Sequence, residues 1–198
     1  VIFSYLVSST SLLIMNKLAL KVFNFPYTLT YMQLVAFCIV ISAIEICTFL
    51  ISGKSKFGIF VDSKAAKSFL IPGLIWALPL AFNMQALSYL NPDTVLIFRV
   101  ATIFGVAVGD CVLFGKKLKL HEVFSLLFTF IGTCIYAYSN AYLSRGGIMF
   151  GFLYWLTFIV TQLLTKSVFA ANPKKGVMFK AFYVNLFGSI SVISLVGP

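Results

Sequence analysis

The stretch LTYMQLVAFCIVISAIEICTFLI, residues 29–51, decides the fold. Glu45 is its one charged residue. A helix needs roughly 20 mostly apolar residues to cross a bilayer, because each residue adds about 1.5 Å of rise. The stretch therefore predicts a transmembrane helix.

Similar apolar stretches fill the rest of the chain. Of its 198 residues, 61% are apolar and 10% are charged, and the mean hydropathy is +1.02. Soluble domains carry about 25% charged residues, so a water-soluble core is excluded. The sequence predicts an all-α, polytopic membrane helix bundle that forms a single transmembrane domain, residues 1–198. Its spans are expected near 2–20, 29–51, 67–88, 94–115, 121–141, 147–170 and 178–197.

The net charge of +10 is first a signal of topology. The connections after even-numbered spans carry ten lysines, whereas those after odd-numbered spans carry only Lys21 and Arg145. Because cytoplasmic loops collect Lys and Arg, we expect a multi-pass protein with a cytoplasmic N terminus. The lysines are dispersed over three connections at the membrane edge, so the expected partner is the lipid bilayer and not a nucleic acid.

The motifs of catalysis and metal binding are absent from the sequence. It contains no phosphate-binding loop, no zinc-protease motif and no nucleophile elbow, and its one histidine, His121, begins the fifth span. The four cysteines lie inside apolar segments without metal-ligand spacing, which predicts buried thiols. We therefore expect no enzyme activity, no catalytic residue, no metal and no cofactor.

Five ionisable residues lie inside the predicted spans, where each costs about 2.5 to 3.5 kcal/mol on insertion. They are Lys17, Glu45, Arg99, Asp110 and Lys166. Arg99 and Asp110 are eleven residues apart, which places them on nearly the same helical face but about 16 Å apart along the axis. Opposite charges near the two mouths of one helix suit a carrier whose gates close alternately. The alternatives are snorkelling of Lys17 or Arg99, a buried partner for Asp110, a structural pairing of Glu45, and an interface anchor at Lys166.

Two glycine pairs indicate close packing of helices. Gly105 and Gly109 lie in the fourth span, and Gly147 and Gly151 lie in the sixth. Glycines four residues apart allow the backbones of two helices to approach each other. We expect these glycines to be helix contacts.

Three segments of the chain resemble one transporter family. They are Asn16-Lys17 with FNFPY (23–27), then LNPDTVLIFR (90–99) with Gly109-Asp110 and FGKK (114–117), and FYVN (182–185). Together they resemble the nucleotide-sugar and triose-phosphate transporters of the drug/metabolite transporter superfamily, most closely the Golgi GDP-mannose and other GDP-sugar transporters. Members of that family have ten helices in two inverted repeats, so the resemblance implies that this chain holds about seven of the ten and is truncated at its C-terminal end.

The resemblance implies a function and a set of site residues. The function is antiport of a nucleotide sugar, such as GDP-mannose, from the cytosol into the Golgi or ER lumen in exchange for a nucleoside monophosphate. Tyr183 and Asn185 become nucleotide contacts, with Lys17 and Arg99 as candidates for phosphate attraction or gating. Glu45 and Asp110 remain gating or structural residues. A dianionic diphosphate needs cationic or amide donors in a central cavity that opens to one side at a time.

Several alternatives stay open. The chain is alternatively an organic-phosphate or metabolite antiporter of the same superfamily, or a truncated membrane partner without transport activity. The sequence also leaves open a homodimer, the identity of the sugar and the nucleobase, and the localisation, for which the Golgi membrane is expected from the resemblance alone.

Overall fold

The computed structural model describes residues 2–53, 55, 57–59, 63–140, 144–173 and 175–195. In order, its helices are α1 (Ile2–Val22), α2 (Pro26–Ser52), α3 (Ser63–Ser68), α4 (Leu70–Tyr89), α5 (Pro92–Phe114), α6 (Leu120–Asn140), α7 (Arg145–Ala171) and α8 (Val177–Ile193). Lys54, Lys56 and Lys174, which contribute to the topology prediction, lie outside the described residues. So do residue 141 of the predicted fifth span and residues 196–197 of the seventh.

Four of the described helices have the length and composition of membrane spans. Among the described residues, α2, α4, α5 and α7 are each long and apolar enough to cross a bilayer, and Leu120–Ile135 and Val177–Ile193 are shorter apolar helical segments. Many large apolar side chains on these helices are exposed, such as Ile51 and Val112. The predicted fold class, an all-α polytopic membrane bundle, is confirmed.

The predicted third span differs from the structure at its start. We expected one helix over residues 67–88, but the short helix α3 ends at Ser68 and α4 begins at Leu70. Pro72 explains the break, because it has no N–H to donate to the carbonyl of Ser68 and its ring would clash with that carbonyl in a continuous helix. In the first turn of α4, by contrast, a proline is well tolerated. Phe69 at the junction is fully buried.

The chain divides into two compact units. The first consists of Val1–Pro26 with Ala81–Ile159, and the second of Tyr27–Leu80 with Val160–Pro198. Helices α4 and α7 each contribute residues to both units. In α4 the division comes just after Pro79, which lies inside the helix.

The first unit is built around α5. This helix contacts α1 and α6, and Phe104 stacks on Phe130 of α6 with ring centroids 5.7 Å apart. Glycines of α7 admit large side chains from neighbouring segments: Gly151 lies against Phe98, and Gly147 lies against Leu90. Gly105 of α5 similarly receives Ile159. These contacts agree with the packing role expected for Gly105, Gly147 and Gly151.

The second unit has three small apolar clusters. One joins Leu34, Ala77 and Val192, which come from α2, α4 and α8. Gly188 allows α8 to approach α4 closely, because a Cβ there would lie only 3.3 Å from the carbonyl oxygen of Gly73. The other two clusters surround Phe69 and Ile59, which lie just before α4 and just before α3.

Gly151→Ala should destabilise the first unit. A Cβ at this position would lie 2.5 Å from Cε2 of Phe98, and overpacking of this kind costs about 1–3 kcal/mol. The free energy of unfolding in mixed micelles should fall by that amount. Gly132→Ala is the matched control, because a Cβ at Gly132 meets no atom within 4 Å and alanine favours a helix over glycine. Equal effects of the two substitutions would contradict close packing at Gly151.

Candidate functional site

The predicted site residues are divided between the two units. Lys17, Arg99 and Asp110 belong to the first unit, whereas Glu45, Tyr183 and Asn185 belong to the second. Each group is therefore described separately.

Lys17 caps a helix. Its ammonium group donates to the carbonyl oxygens of Leu87 at 2.6 Å and of Leu90 at 2.8 Å. The last carbonyls of α4 have no partner within the helix, and they form the negative end of its dipole. The half-buried ammonium group of Lys17 supplies a hydrogen-bond donor for these carbonyls and a positive charge at the negative end of the dipole. The structure therefore gives Lys17 a structural contact that the sequence did not predict.

Arg99 contacts α1 from the middle of the first unit. It is half-buried in α5, and its Nη1 donates to Oγ of Ser9 at 3.3 Å. Ser9 and Lys17 are eight residues apart on α1, which corresponds to about 12 Å of helix rise. The guanidinium of Arg99 therefore contacts α1 about two helical turns away from Lys17. The guanidinium has five N–H donors, which is more than its bond to Ser9 uses.

Asp110 lies near the end of α5 and is buried. Its main-chain carbonyl accepts the N–H groups of Gly115 and Lys116, the latter at 3.3 Å. Gly115 has a φ of 61°, in the left-handed region that favours glycine after a helix. The backbone of Asp110 thus helps to terminate α5.

Tyr183 and Asn185 lie in the same turn of α8 but make different contacts. The hydroxyl of Tyr183 donates to the carbonyl oxygen of Ile59 at 2.6 Å. Its ring lies 4.8 Å from that of Phe179. The amide Nδ2 of Asn185 donates to the carbonyl of Ala181, one turn earlier in the helix, at 2.7 Å.

Val184, between these two residues, has an apolar environment. It is buried and belongs to a cluster with Phe69 and Phe179. Its side chain therefore contributes to packing within the second unit. In the FYVN segment, the polar side chains are those of Tyr183 and Asn185.

Glu45 is buried in α2, with 2% of its surface exposed. Its carboxylate accepts hydrogen bonds from the hydroxyl of Ser55 and from the backbone N–H groups of Phe57 at 2.9 Å and Gly58 at 3.1 Å. A buried carboxylate is tolerated when several donors replace its hydration shell. Glu45 and Tyr183 thus bind neighbouring residues of the same segment. Glu45 accepts hydrogen bonds from Phe57 and Gly58, and Tyr183 donates one to Ile59.

A groove lies between α2 and α8 in the second unit. Its volume is about 480 Å³. It is lined by Val35, Cys38, Ile39, Ser42, Ala43, Ile46, Phe182, Leu186 and Ser189. This lining contains no charged side chain, so the groove lacks the cationic donors that a diphosphate requires.

Two sequence predictions need correction. Lys180 is one of the ten lysines counted in the connections, but it lies in α8, is buried, and donates from Nζ to the carbonyl of Phe169 at 3.2 Å. A lysine three residues after the start of an apolar helix was the available signal. The cysteines were expected to be buried thiols, yet only Cys38 is buried, while Cys47 and Cys134 are exposed on their helices.

The described residues contain no group of three or more His, Cys, Asp or Glu side chains that could hold a metal ion. The polar groups of both units instead contact backbone and hydroxyl groups. The class that the fold defines is a multi-pass helical membrane protein with cations and amides held among apolar helices.

Comparison with known proteins supports one transporter group. The chain is 26% identical over 190 residues to GDP-fucose transporter 1 of Arabidopsis thaliana, which corresponds to 93% of this chain and 52% of that protein. No protein-family model matches the sequence. The similarity supports the relationship to nucleotide-sugar transporters that the three sequence segments predict. The chain spans about half the length of the curated relative it matches.

Lys17→Met should destabilise the end of α4. The substitution keeps an unbranched apolar stem but removes the donor to the carbonyls of Leu87 and Leu90. Hydrogen bonds from a charged group contribute about 1.5–3 kcal/mol, and the free energy of unfolding in mixed micelles should fall by a similar amount. Lys21→Met, at an exposed position of the same helix, should have little effect. Similar losses for both variants would exclude the capping role.

Proposed function

We propose that the protein is a membrane antiporter for nucleotide sugars. In this proposal it moves a GDP-sugar, such as GDP-mannose, from the cytosol into the Golgi or ER lumen and returns a nucleoside monophosphate. The observation that carries the proposal is the similarity to a GDP-fucose transporter along 93% of the chain. The motifs at residues 90–99 and 182–185 resemble the same group of transporters.

The physical requirements of such a carrier fit the residues of this chain. A diphosphate carries negative charge that is costly to place among apolar helices without cationic donors. Arg99 supplies a guanidinium within α5, and its planar fork suits phosphate oxygens. We assign it to the phosphates, with Lys17 as a second candidate whose ammonium would have to leave the end of α4.

The nucleoside is assigned to α8. Tyr183 offers an aromatic ring and a hydroxyl, and Asn185 offers an amide that can both donate and accept hydrogen bonds. Because Val184 is packed among apolar side chains, base recognition from this segment rests on Asn185. Glu45 and Asp110 are assigned to conformational control and not to direct binding.

The orientation and location follow from the same reasoning. The lysine-rich connections are assigned to the cytosol, which places the N terminus there. The localisation in the Golgi or ER membrane rests on the resemblance to GDP-sugar transporters.

Exchange should be measurable in proteoliposomes that contain the full-length protein. We expect uptake of labelled GDP-mannose or GDP-fucose to be at least tenfold faster into vesicles loaded with GMP than into empty vesicles. UMP-loaded vesicles test recognition of the base. Uptake driven by inorganic phosphate and independent of the nucleobase would favour the organic-phosphate antiporter. No uptake with any of these substrates would favour a non-transporting membrane partner.

Arg99→Gln and Asn185→Ala should both reduce GDP-sugar exchange. The loss of a charged hydrogen bond, about 1.5–3 kcal/mol, corresponds to roughly a 10- to 100-fold decrease in uptake for Arg99→Gln. A neutral bond contributes less, so we expect about a threefold to tenfold decrease for Asn185→Ala. Lys21→Gln, on an exposed face of α1, is the control and should retain uptake. Unchanged uptake and affinity in a variant would remove that residue from the site.

A further inference from the structure

Four described residues of the connection after α2 lie back along that helix. The residues concerned are Ser55 and Phe57–Ile59, here called the Glu45 turn. Glu45 lies seven residues before the end of α2 at Ser52, which corresponds to about 10 Å of helix rise. The bonds from Phe57 and Gly58 to its carboxylate therefore hold the turn well back from the end of the helix. Gly53 and Gly58, with φ values of 66° and 67°, provide the changes of direction.

The Glu45 turn is not helical, so its backbone groups need partners from elsewhere. Irregular backbone at the depth of a membrane helix is tolerated only when its polar groups are satisfied by protein or water. Glu45 accepts two backbone N–H groups of the turn, and Tyr183 donates to the carbonyl of Ile59. Two side chains from two helices thus form hydrogen bonds with one backbone group in each of three consecutive residues.

The turn also covers an apolar cluster. The side chain of Ile59 is fully buried and belongs to a cluster with Cys38, Ile41 and Phe182, which come from α2 and α8. Phe57 packs against the same cluster. Cys38 and Phe182 also line the α2–α8 groove, so the turn covers one side of the cluster, and its displacement would uncover that side.

The hydroxyl of Tyr183 has a single proton to donate. In the structure that proton goes to the carbonyl of Ile59. A nucleotide that accepts a hydrogen bond from Tyr183 would have to take this proton away from the turn. Binding of the ligand and attachment of the turn through Tyr183 are then mutually exclusive.

We propose that the Glu45 turn is a displaceable closure over the α2–α8 cluster, and that a nucleotide opens it by taking the hydroxyl of Tyr183 from Ile59. Glu45 is a positioning residue in this device, because it acts on Tyr183 through the turn and does not touch the ligand. The closure itself stands on the contacts within the second unit. Its release by a nucleotide rests on the proposed function.

Cys38 provides a reporter for the opening of the turn. The experiment uses the full-length protein with Cys38 as its only cysteine and measures the rate at which a charged methanethiosulfonate reagent modifies it. Because Cys38 also lines the α2–α8 groove, the rate in the parent protein is the baseline, and displacement of Ile59 should increase it. GMP is the nucleotide probe.

The expected rates follow from the bonds that each variant removes. Tyr183→Phe removes one neutral bond and should increase the rate of modification about fivefold, whereas Ser55→Ala removes a bond to a carboxylate and should increase it about tenfold. Glu45→Gln removes the charge that accepts three donors and should increase the rate about 10- to 100-fold. GMP should increase the rate in the parent protein but not in Tyr183→Phe.

Glu122→Gln is the matched control. The carboxylate of Glu122 also accepts a backbone N–H, that of Lys119 at 3.0 Å, but it belongs to the first unit. Its substitution should leave the modification of Cys38 unchanged. If Glu45→Gln unfolds the protein, Ser55→Ala and Tyr183→Phe still test the closure.

The outcomes separate this inference from the proposed function. Unchanged rates in folded Ser55→Ala and Tyr183→Phe would overturn the closure, whatever the exchange assay shows. Faster modification in the variants, with GMP ineffective although GMP exchange is intact, would overturn the release by nucleotide. Faster modification in the variants without any nucleotide exchange would support the closure and contradict the proposed function alone.

Discussion

The need to satisfy polar groups without water governs this structure. Apolar helices can bury their own backbone bonds, but their ends, their connections and their few charges must find partners in the protein. Lys17 and Lys180 bind carbonyls near the ends of α4 and α7, and Glu45 binds the N–H groups of a folded-back turn. The same requirement explains why few charged residues occur within the spans and why Lys17, Glu45 and Lys180 contact backbone atoms.

The same chemistry that stabilises these contacts makes them exchangeable. A cation that binds a helix carbonyl, or a hydroxyl that binds a turn, can bind a phosphate or a base at comparable cost, because each gives up one hydrogen bond and gains another. Lys17 and Tyr183 are therefore both structural contacts and candidate ligands. For a carrier that alternates between states, bonds that can be replaced by the cargo are more useful than permanent ones.

The fold class was predictable from the sequence, because long apolar stretches leave no other solution in a bilayer. The break at Phe69 was missed, although Pro72 is visible and its missing N–H provides the reason. The contacts of the site were less predictable. That Glu45 and Arg99 would need partners follows from their cost in a membrane, but Ser55 and Ser9 as those partners depend on how distant segments meet. The bond from Lys180 to the carbonyl of Phe169 was likewise not predictable, because it depends on how α7 and α8 meet.

The cap on α4 has a consequence for biogenesis. Lys17 leaves the ribosome before the carbonyls that it binds, which follow 70 and 73 residues later. During that interval the ammonium has no such partner, and its insertion cost of about 2.5–3.5 kcal/mol must be met by snorkelling, water or the translocon. Helix α1 should therefore remain near the translocation machinery until α4 has been synthesised.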